Sequence, residues 1–149
     1  GFLGQWYPSP FTVDGNTYTT CEIWMMVQKA QLFGDEKVAK DMLKTSDPKV
    51  HKALGRKVKN FDNEVWDKNK FDIVMQGNVH KFTVSQDAAN MMKWLLATDD
   101  MELVEASPMD RIWGIGFAAR DADANRHRWG QNLLGKALMV VRTRSREEE

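Results

Sequence analysis

Apolar and polar positions follow two rhythms along the chain. Near the start, Phe11-Thr12-Val13 and Thr17-Tyr18-Thr19 flank Asp14-Gly15-Asn16 with strand-like alternation, which predicts a short hairpin. The segment before it, Trp6-Tyr7-Pro8-Ser9-Pro10-Phe11, is extended or turned, because its prolines exclude an ordinary helix. From Cys21 to Phe33 the period becomes helical, with Thr19 or Thr20 as cap and Gly34 as stop. A second helix follows Gly34-Asp35. A third opens on Asp47-Pro48, a capping residue followed by proline at the first helical position, and ends near Gly55. Asp62 to Gln76 predicts a longer helix with Val65, Trp66, Ile73 and Val74 on its apolar positions. Asp87 caps another through Met91, Met92, Leu95 and Leu96. Glu102–Ala106 and Ile112–Phe117 read as short strands around a turn at Pro108, and a last helix spans Gln131 to Arg142. Helices dominate and strands are few, so the expected class is α+β: a single helix-rich domain over residues 1–149, with residues 143–149 a frayed, charged C-terminus.

Within the first helix, apolar residues cover most of the circumference, the pattern of a buried helix. Yet Glu22 and Lys29 stand seven positions apart and project from nearly the same face, bordered by Met25, Met26 and Phe33. An acid and an amine in apolar surroundings have disturbed proton affinities and are candidates for chemistry. One account is an ion pair that satisfies itself. Against it, two helical turns separate the groups by roughly 10 Å along the axis, a gap that a ligand fits better.

Composition narrows the classes. The chain has 149 residues, 21 Lys+Arg against 21 Asp+Glu, so a strongly basic nucleic-acid sleeve and an acidic tail are excluded as main themes. The lone Cys21 forms no internal disulfide. No apolar run approaches the roughly 20 residues of a membrane span, and no secretory leader opens the chain. The expectation is an intracellular protein, cytoplasmic or nuclear, without membrane partners. His51, His80 and His127 are scattered without metal-ligand spacing, so no metal site and no cofactor are expected. Six Trp and nine Met are a surplus that fills irregular interiors or lines a pocket.

Longer motifs carry a family resemblance. Leu103-Val104-Glu105-Ala106-Ser107-Pro108-Met109-Asp110-Arg111-Ile112-Trp113-Gly114-Ile115-Gly116 resembles the LVEASPxDxIWGIG motif of the NADAR family, the YbiA-like proteins. The stretch from Trp129 to Arg142 is similar to that family's closing WxGxNxLGxALMxVR pattern. Tyr7-Pro8-Ser9-Pro10-Phe11 matches YPSPF, and Glu22 with Gln28-Lys29-Ala30 matches EHxxxxQKA. Leu54-Gly55-Arg56 with Phe61 and Trp66 looks like the family's middle segment. The resemblance runs from about Phe2 to Arg142 and implies a YbiA-like fold. Three features depart from the pattern. Ile23 stands where the family usually has His, Gly4-Gln5-Trp6 replaces Ser-Asn-Phe, and Gln86 is displaced from a KFxQ spacing.

The resemblance implies an N-glycosidase that splits a ribosyl bond to an exocyclic amine. In the family, the lysine of QKA attacks the anomeric carbon through a Schiff-base intermediate, a role that falls on Lys29 here. Physical chemistry agrees: burial depresses a lysine pKa toward the free amine a nucleophile needs, while a neighbouring carboxylate opposes the shift. Glu22 is the candidate general acid/base, titrating as a coupled pair with Lys29.

Asp110 is a further catalytic candidate, touching ribose hydroxyls or moving a proton, or else it caps the turn after Pro108. Trp66 and Trp113 stack on a base or fill the core. Gly114 lets backbone approach a ligand, or marks a bend. Arg56 contacts phosphate, or is a solvated residue at a helix end. Asn132 holds a polar substrate group near a helix N-terminus, or caps that helix. The motif matches add Tyr7 and Ser107 as substrate-binding candidates.

The leading expectation is removal of ADP-ribose from guanine, at a nucleic-acid end or in a single nucleotide. Hydrolysis of phosphorylated ribosylamino-pyrimidines of riboflavin synthesis is the alternative enzyme, and a non-catalytic ADP-ribose-binding module the alternative class. Retention of both Glu22 and Lys29 favours catalysis, since binding alone needs no amine there. Neutral overall charge fits one extruded or terminal nucleotide better than a long duplex footprint. Nothing in the sequence sets the oligomeric state; a monomer suffices.

Overall fold

The computed structural model describes residues 1–148. β1 (Phe11–Val13) pairs antiparallel with β2 (Asn16–Tyr18), Phe11 opposite Tyr18 and Val13 opposite Asn16. Asp14 and Gly15 carry φ of 51° and 83°. Two successive positive φ values make the tight turn whose twist suits a hairpin, and Asp-Gly is a preferred pair for it. The turn is therefore two residues long, and Asn16 opens the second strand. Among the described residues these are the only strands, so the class is α+β with helix predominant.

Among the described residues six α-helices follow: α1 (Cys21–Leu32), α2 (Glu36–Leu43), α3 (Pro48–Gly55), α4 (Asn63–Thr83), α5 (Ala88–Leu96) and α6 (Leu133–Glu147). Local chemistry sets their starts. The side chains of Thr20, Asp35, Asp47 and Asp62 accept from the first free amides of α1 to α4. No helix among the described residues is long and apolar enough to cross a membrane. The chain divides into two compact units, Gly1–Met92 and Lys93–Glu149, the division falling inside α5.

In the first unit α1 is the central element. Cys21, Ile23, Trp24, Val27 and Ala30 are buried with Phe11 and Tyr18 of the hairpin and Val38, Ala39 and Met42 of α2. The Trp24 indole packs edge-on against Tyr18 and His80, both centroids 5.0 Å away, and its Nε1–H donates to the Ile73 carbonyl at 2.9 Å. α4 runs past the expected end at Gln76 because Gly77 is where Trp24 lies. A Cβ there would come within 2.6 Å of the indole Cδ1. The helix accepts glycine's cost of about 1 kcal/mol in return for close aromatic packing.

The second unit corrects two expectations. Glu102–Ala106 and Ile112–Phe117 are not strands. Asp110 Oδ1 accepts from the amides of Ile112 and Trp113, at 3.0 and 2.9 Å, which removes those donors from any ladder. The carbonyls of Arg111, Ile112, Trp113, Gly114 and Ile115 accept instead from the amides of residues 130–134, at the start of α6. Leu103 and Glu105 pair with a side chain in place of a strand: Asn132 Nδ2 donates to the Leu103 carbonyl and its Oδ1 accepts from Glu105 N, both at 3.0 Å. Gly135 completes this joint, since a Cβ there would meet the Leu103 carbonyl oxygen at 2.0 Å. Two 3-10 turns, Ala119–Asp121 and Asp123–Arg128, fill the segment before it.

The second correction concerns the frayed tail at 143–149, because α6 continues through Glu147. Arg142 is buried and donates to Thr98 Oγ1 and the Met101 carbonyl, each at 2.8 Å. One turn on, Arg146 pairs with Asp100 at 2.8 Å and donates to the Asp99 carbonyl. These arginines anchor the end of the helix; residue 149 lies outside the described residues.

Replacing Gly77 by alanine tests the packing of α1 on α4. Alanine's helix propensity alone favours the variant by about 1 kcal/mol. The contact with Trp24 reverses the sign, with an expected net loss of about 1–3 kcal/mol. Urea denaturation measures it, and a Gly77→Ala protein more stable than wild type contradicts the packing described.

Candidate active site

The first unit assembles its chemistry around one face of α1. The Lys29 side chain is half-buried under two aromatic rings. Its Nζ lies 4.7 Å from the Phe61 centroid and 5.0 Å from the Trp66 centroid. Phe33, one turn on from Lys29, packs edge-on against Phe61 at 5.2 Å. Trp66 is buried on the first turn of α4, and Phe61 precedes the Asp62 cap of that helix. The approach to them is held by Asp35. Its Oδ1 caps α2 at Val38, and its Oδ2 accepts from Lys59 N at 2.9 Å. That second bond is the main reason its carboxyl sits below the usual carboxylate range, helped by the first.

Burial lowers the Lys29 pKa from the ordinary 10.5, and the Glu22 carboxylate raises it in opposition. The rings shift the balance toward the free amine, though each also attracts the ammonium. Methionines and Phe33 were the neighbours expected from the helical wheel. Phe61 and Trp66 come from outside α1, and periodicity within one helix cannot reveal them.

Glu22 occupies the first turn of α1 and lines a cavity of about 550 Å³ together with Trp6, Met26, Pro48, His51 and Lys52. The walls are indole, thioether and proline ring, with a carboxylate, an amine and an imidazole as polar groups. That composition suits a planar, partly polar ligand. His51 is buried, its Nε2 lies 2.5 Å from the Thr45 carbonyl, and its Nδ1 has no partner. No motif marks His51 or Lys52; they reach the cavity because α3 packs on α1, the Met26 methyl lying where a Cβ on Gly55 would come within 2.7 Å.

Of the remaining first-unit candidates, Arg56 is exposed at the C-terminal cap of α3, one turn beyond Lys52. Tyr7 is half-buried beneath the Lys81 ammonium, whose Nζ is 5.5 Å from its ring. Ser107, Asp110, Trp113, Gly114 and Asn132 belong to the second unit. Asp110 caps the bend after Pro108. Gly114 is buried against its own unit's backbone, since a Cβ would meet the Glu105 carbonyl oxygen at 2.6 Å. Ser107 closes the turn by accepting, through its carbonyl, from Asp110 N at 3.3 Å, and half-buried Trp113 accepts from Leu134 N at 3.1 Å. Asn132 is buried, and its side-chain bonds both run to residues 103–105. It stands at the N-cap of α6 with φ 51° but makes no capping bond. The backbone amides of residues 130–134 around it donate to loop carbonyls.

Known proteins are similar to this chain over most of its length. An N-glycosidase of Acanthamoeba polyphaga mimivirus is 43% identical over 97% of this chain and 88% of its own length. N-glycosidase YbiA of Escherichia coli is 32% identical over 89% of this chain and 74% of its own length. A riboflavin biosynthesis protein of Vibrio vulnificus is 30% identical over 99% of this chain but 36% of its own length. The solution structure of the E. coli YbiA protein superimposes with a TM-score of 0.78 at 30% identity, covering 99% of this chain and 79% of that one. The NADAR domain model matches residues 1–146, and the chain belongs to the NADAR domain family.

Proposed function

We propose that this chain is an N-glycosidase, a hydrolase of a ribosyl bond to an exocyclic amine, and that its substrate is ADP-ribose attached to guanine in nucleic acid or a nucleoside. The observation that carries the reading is Lys29, an amine held under Phe61 and Trp66 with its pKa lowered by burial, on the same helix as Glu22. Relatives named as N-glycosidases, at 43% and 32% identity, support the reaction class.

The chemistry uses the glycosylamine's own reactivity. When the sugar ring opens, the ring oxygen takes a proton and C1 becomes an imine of the base's exocyclic nitrogen. The free Lys29 amine adds to C1 and gives an aminal. Glu22 donates a proton to the base nitrogen, which leaves as the neutral amine, and Lys29 is left joined to C1 as a Schiff base. Water then adds to C1 with Glu22 accepting its proton. Collapse releases the sugar aldehyde and restores Lys29. The sum consumes one water and yields the free base amine and ADP-ribose. Capping geometry accounts for Asp110, and backbone bonding for Asn132, without a substrate, so the proposal rests on Glu22 and Lys29.

A ribosylamino-pyrimidine phosphate presents the same bond. The 30% identity with a riboflavin biosynthesis protein favours it as a second reading. A pure ADP-ribose-binding module leaves the desolvated amine without a purpose.

Incubation with guanine-ADP-ribosylated oligonucleotide or nucleoside, in parallel with a ribosylamino-pyrimidine phosphate, separates the substrates. Lys29→Ala is expected to lose roughly 10³-fold or more in kcat/KM, and Glu22→Ala about 10²–10⁴-fold. Full activity in Lys29→Ala removes the nucleophile. Borohydride added during turnover is expected to fix a sugar adduct on Lys29; active enzyme without an adduct rules out the Schiff base.

The coupling of the two groups has its own signature. Glu22 raises the Lys29 pKa, so Glu22→Gln is expected to lower it further below the ordinary 10.5. The amine then loses its proton at lower pH than in wild type. NMR titration of the lysine side chains reads the shift directly, and an upward or absent shift contradicts the coupling.

A further inference from the structure

A second lysine is more deeply buried than Lys29. Lys81, on α4, has no exposed surface, and its Nζ donates to the Gly4 carbonyl at 2.9 Å. The rings of Tyr7 and Phe82 flank it at 5.5 and 5.2 Å. Burial lowers its pKa to about 8, and burial likewise pushes the nearby Cys21 thiol up to about 12, so Cys21 stays a neutral neighbour at ordinary pH. An apolar side chain of similar volume is often as good or better at such a position. What Lys81 supplies is a directed donor at a fixed point of the N-terminal segment.

Four other hydrogen bonds converge on that point. Gln5 and Asn78 exchange side-chain amide bonds at 3.1 and 3.3 Å, and Asn78, fully buried one turn before Lys81, is held by the Val74 carbonyl at 2.9 Å. The Gln5 carbonyl accepts from the backbone amide of Glu22 at 3.0 Å. Tyr7 N closes a turn onto the Gly4 carbonyl at 3.3 Å. Two successive carbonyls, of Gly4 and Gln5, are thus fixed from α4 and from the first turn of α1. The next residue, at the corner of the turn, is Trp6, which is 44% exposed and forms a wall of the cavity that Glu22 lines.

We infer that Lys81 and Asn78 are positioning residues, which act through Gly4 and Gln5 to hold the Trp6 indole at the mouth of the Glu22 cavity as a stacking wall for the base of the substrate. An indole face stacks on any purine or pyrimidine ring, and a wall fixed before binding spares the ordering cost that a loose loop incurs. The inference rests on the proposed reaction only in taking the occupant of the cavity to be the substrate's base. The shared bond at Gln5 links the wall to Glu22, so base and carboxylate are set in one frame.

The test uses the full chain as wild type, Trp6→Ala, Gln5→Leu, Lys81→Met and the Lys81→Met/Trp6→Ala double variant, with ADP-ribosylated guanosine as substrate. Lys81→Met and Trp6→Ala are each expected to raise KM about tenfold with kcat within about threefold. The double variant is expected to match Trp6→Ala alone, because residues acting through one contact are not additive. Additive losses, or a fall in kcat at unchanged KM, overturn the inference. Fluorine NMR of 5-fluorotryptophan protein, with the Trp6 signal assigned by Trp6→Phe, reads the clasp without turnover. The signal is expected to shift and sharpen toward that of a mobile side chain in both Lys81→Met and Gln5→Leu. An unchanged signal overturns the inference even if the enzyme is active. If Lys81→Met does not fold, Gln5→Leu carries the test from the loop side. Absence of any turnover in wild type counts against the proposed substrate and leaves the fluorine result to decide the clasp.

Discussion

The first unit depends on the close approach of α1 to α4 through Trp24 and Gly77. The indole lies flat enough on the α4 backbone to donate to Ile73, and no side chain larger than hydrogen fits beneath it. This joint sets the distance between the helix that carries Glu22 and Lys29 and the helix that carries Trp66, Asn78 and Lys81. Without it, the amine loses a ring that keeps water away, and the N-terminal turn loses its anchors. Packing at this density fixes positions to within fractions of an ångström.

Lys29 and Lys81 illustrate how surroundings give one residue type two different environments. Lys29 is half-buried, faces aromatic rings, and has its pKa lowered by burial against the pull of Glu22. Lys81 is wholly enclosed and committed to a backbone carbonyl. A nucleophile needs access and a lone pair; a positioning donor needs neither. Burial alone is thus a poor guide to the reactivity of a lysine, and the bonds its Nζ already makes are the better one.

The second unit shows a related division of labour between backbone and side chain. Residues 112–117 look like a strand in sequence, yet the carbonyls of residues 111–115 accept from the amides of residues 130–134, which lead into α6. Asn132 takes over as the pairing partner of residues 103–105. Four residues of the two family motifs in this unit have a structural reading: Asp110, Gly114, Asn132 and Gly135 each take part in a hydrogen bond or a close approach.

The sequence by itself determined the starts of the first four helices, the hairpin and the family, because caps and turn residues are local and act over a few positions. Tertiary structure decided the length of α4, since glycine reads as a stop until the indole that occupies its place is seen. It also replaced two expected strands by a loop docked on a helix, as no local signal says which donors a carbonyl will meet. Most of all, it decided the environment of each charge. The 21 positive and 21 negative residues cancel in any count; which amine lies under Phe61 and Trp66, and which is sealed against Gly4, depends on contacts between residues more than thirty and seventy positions apart.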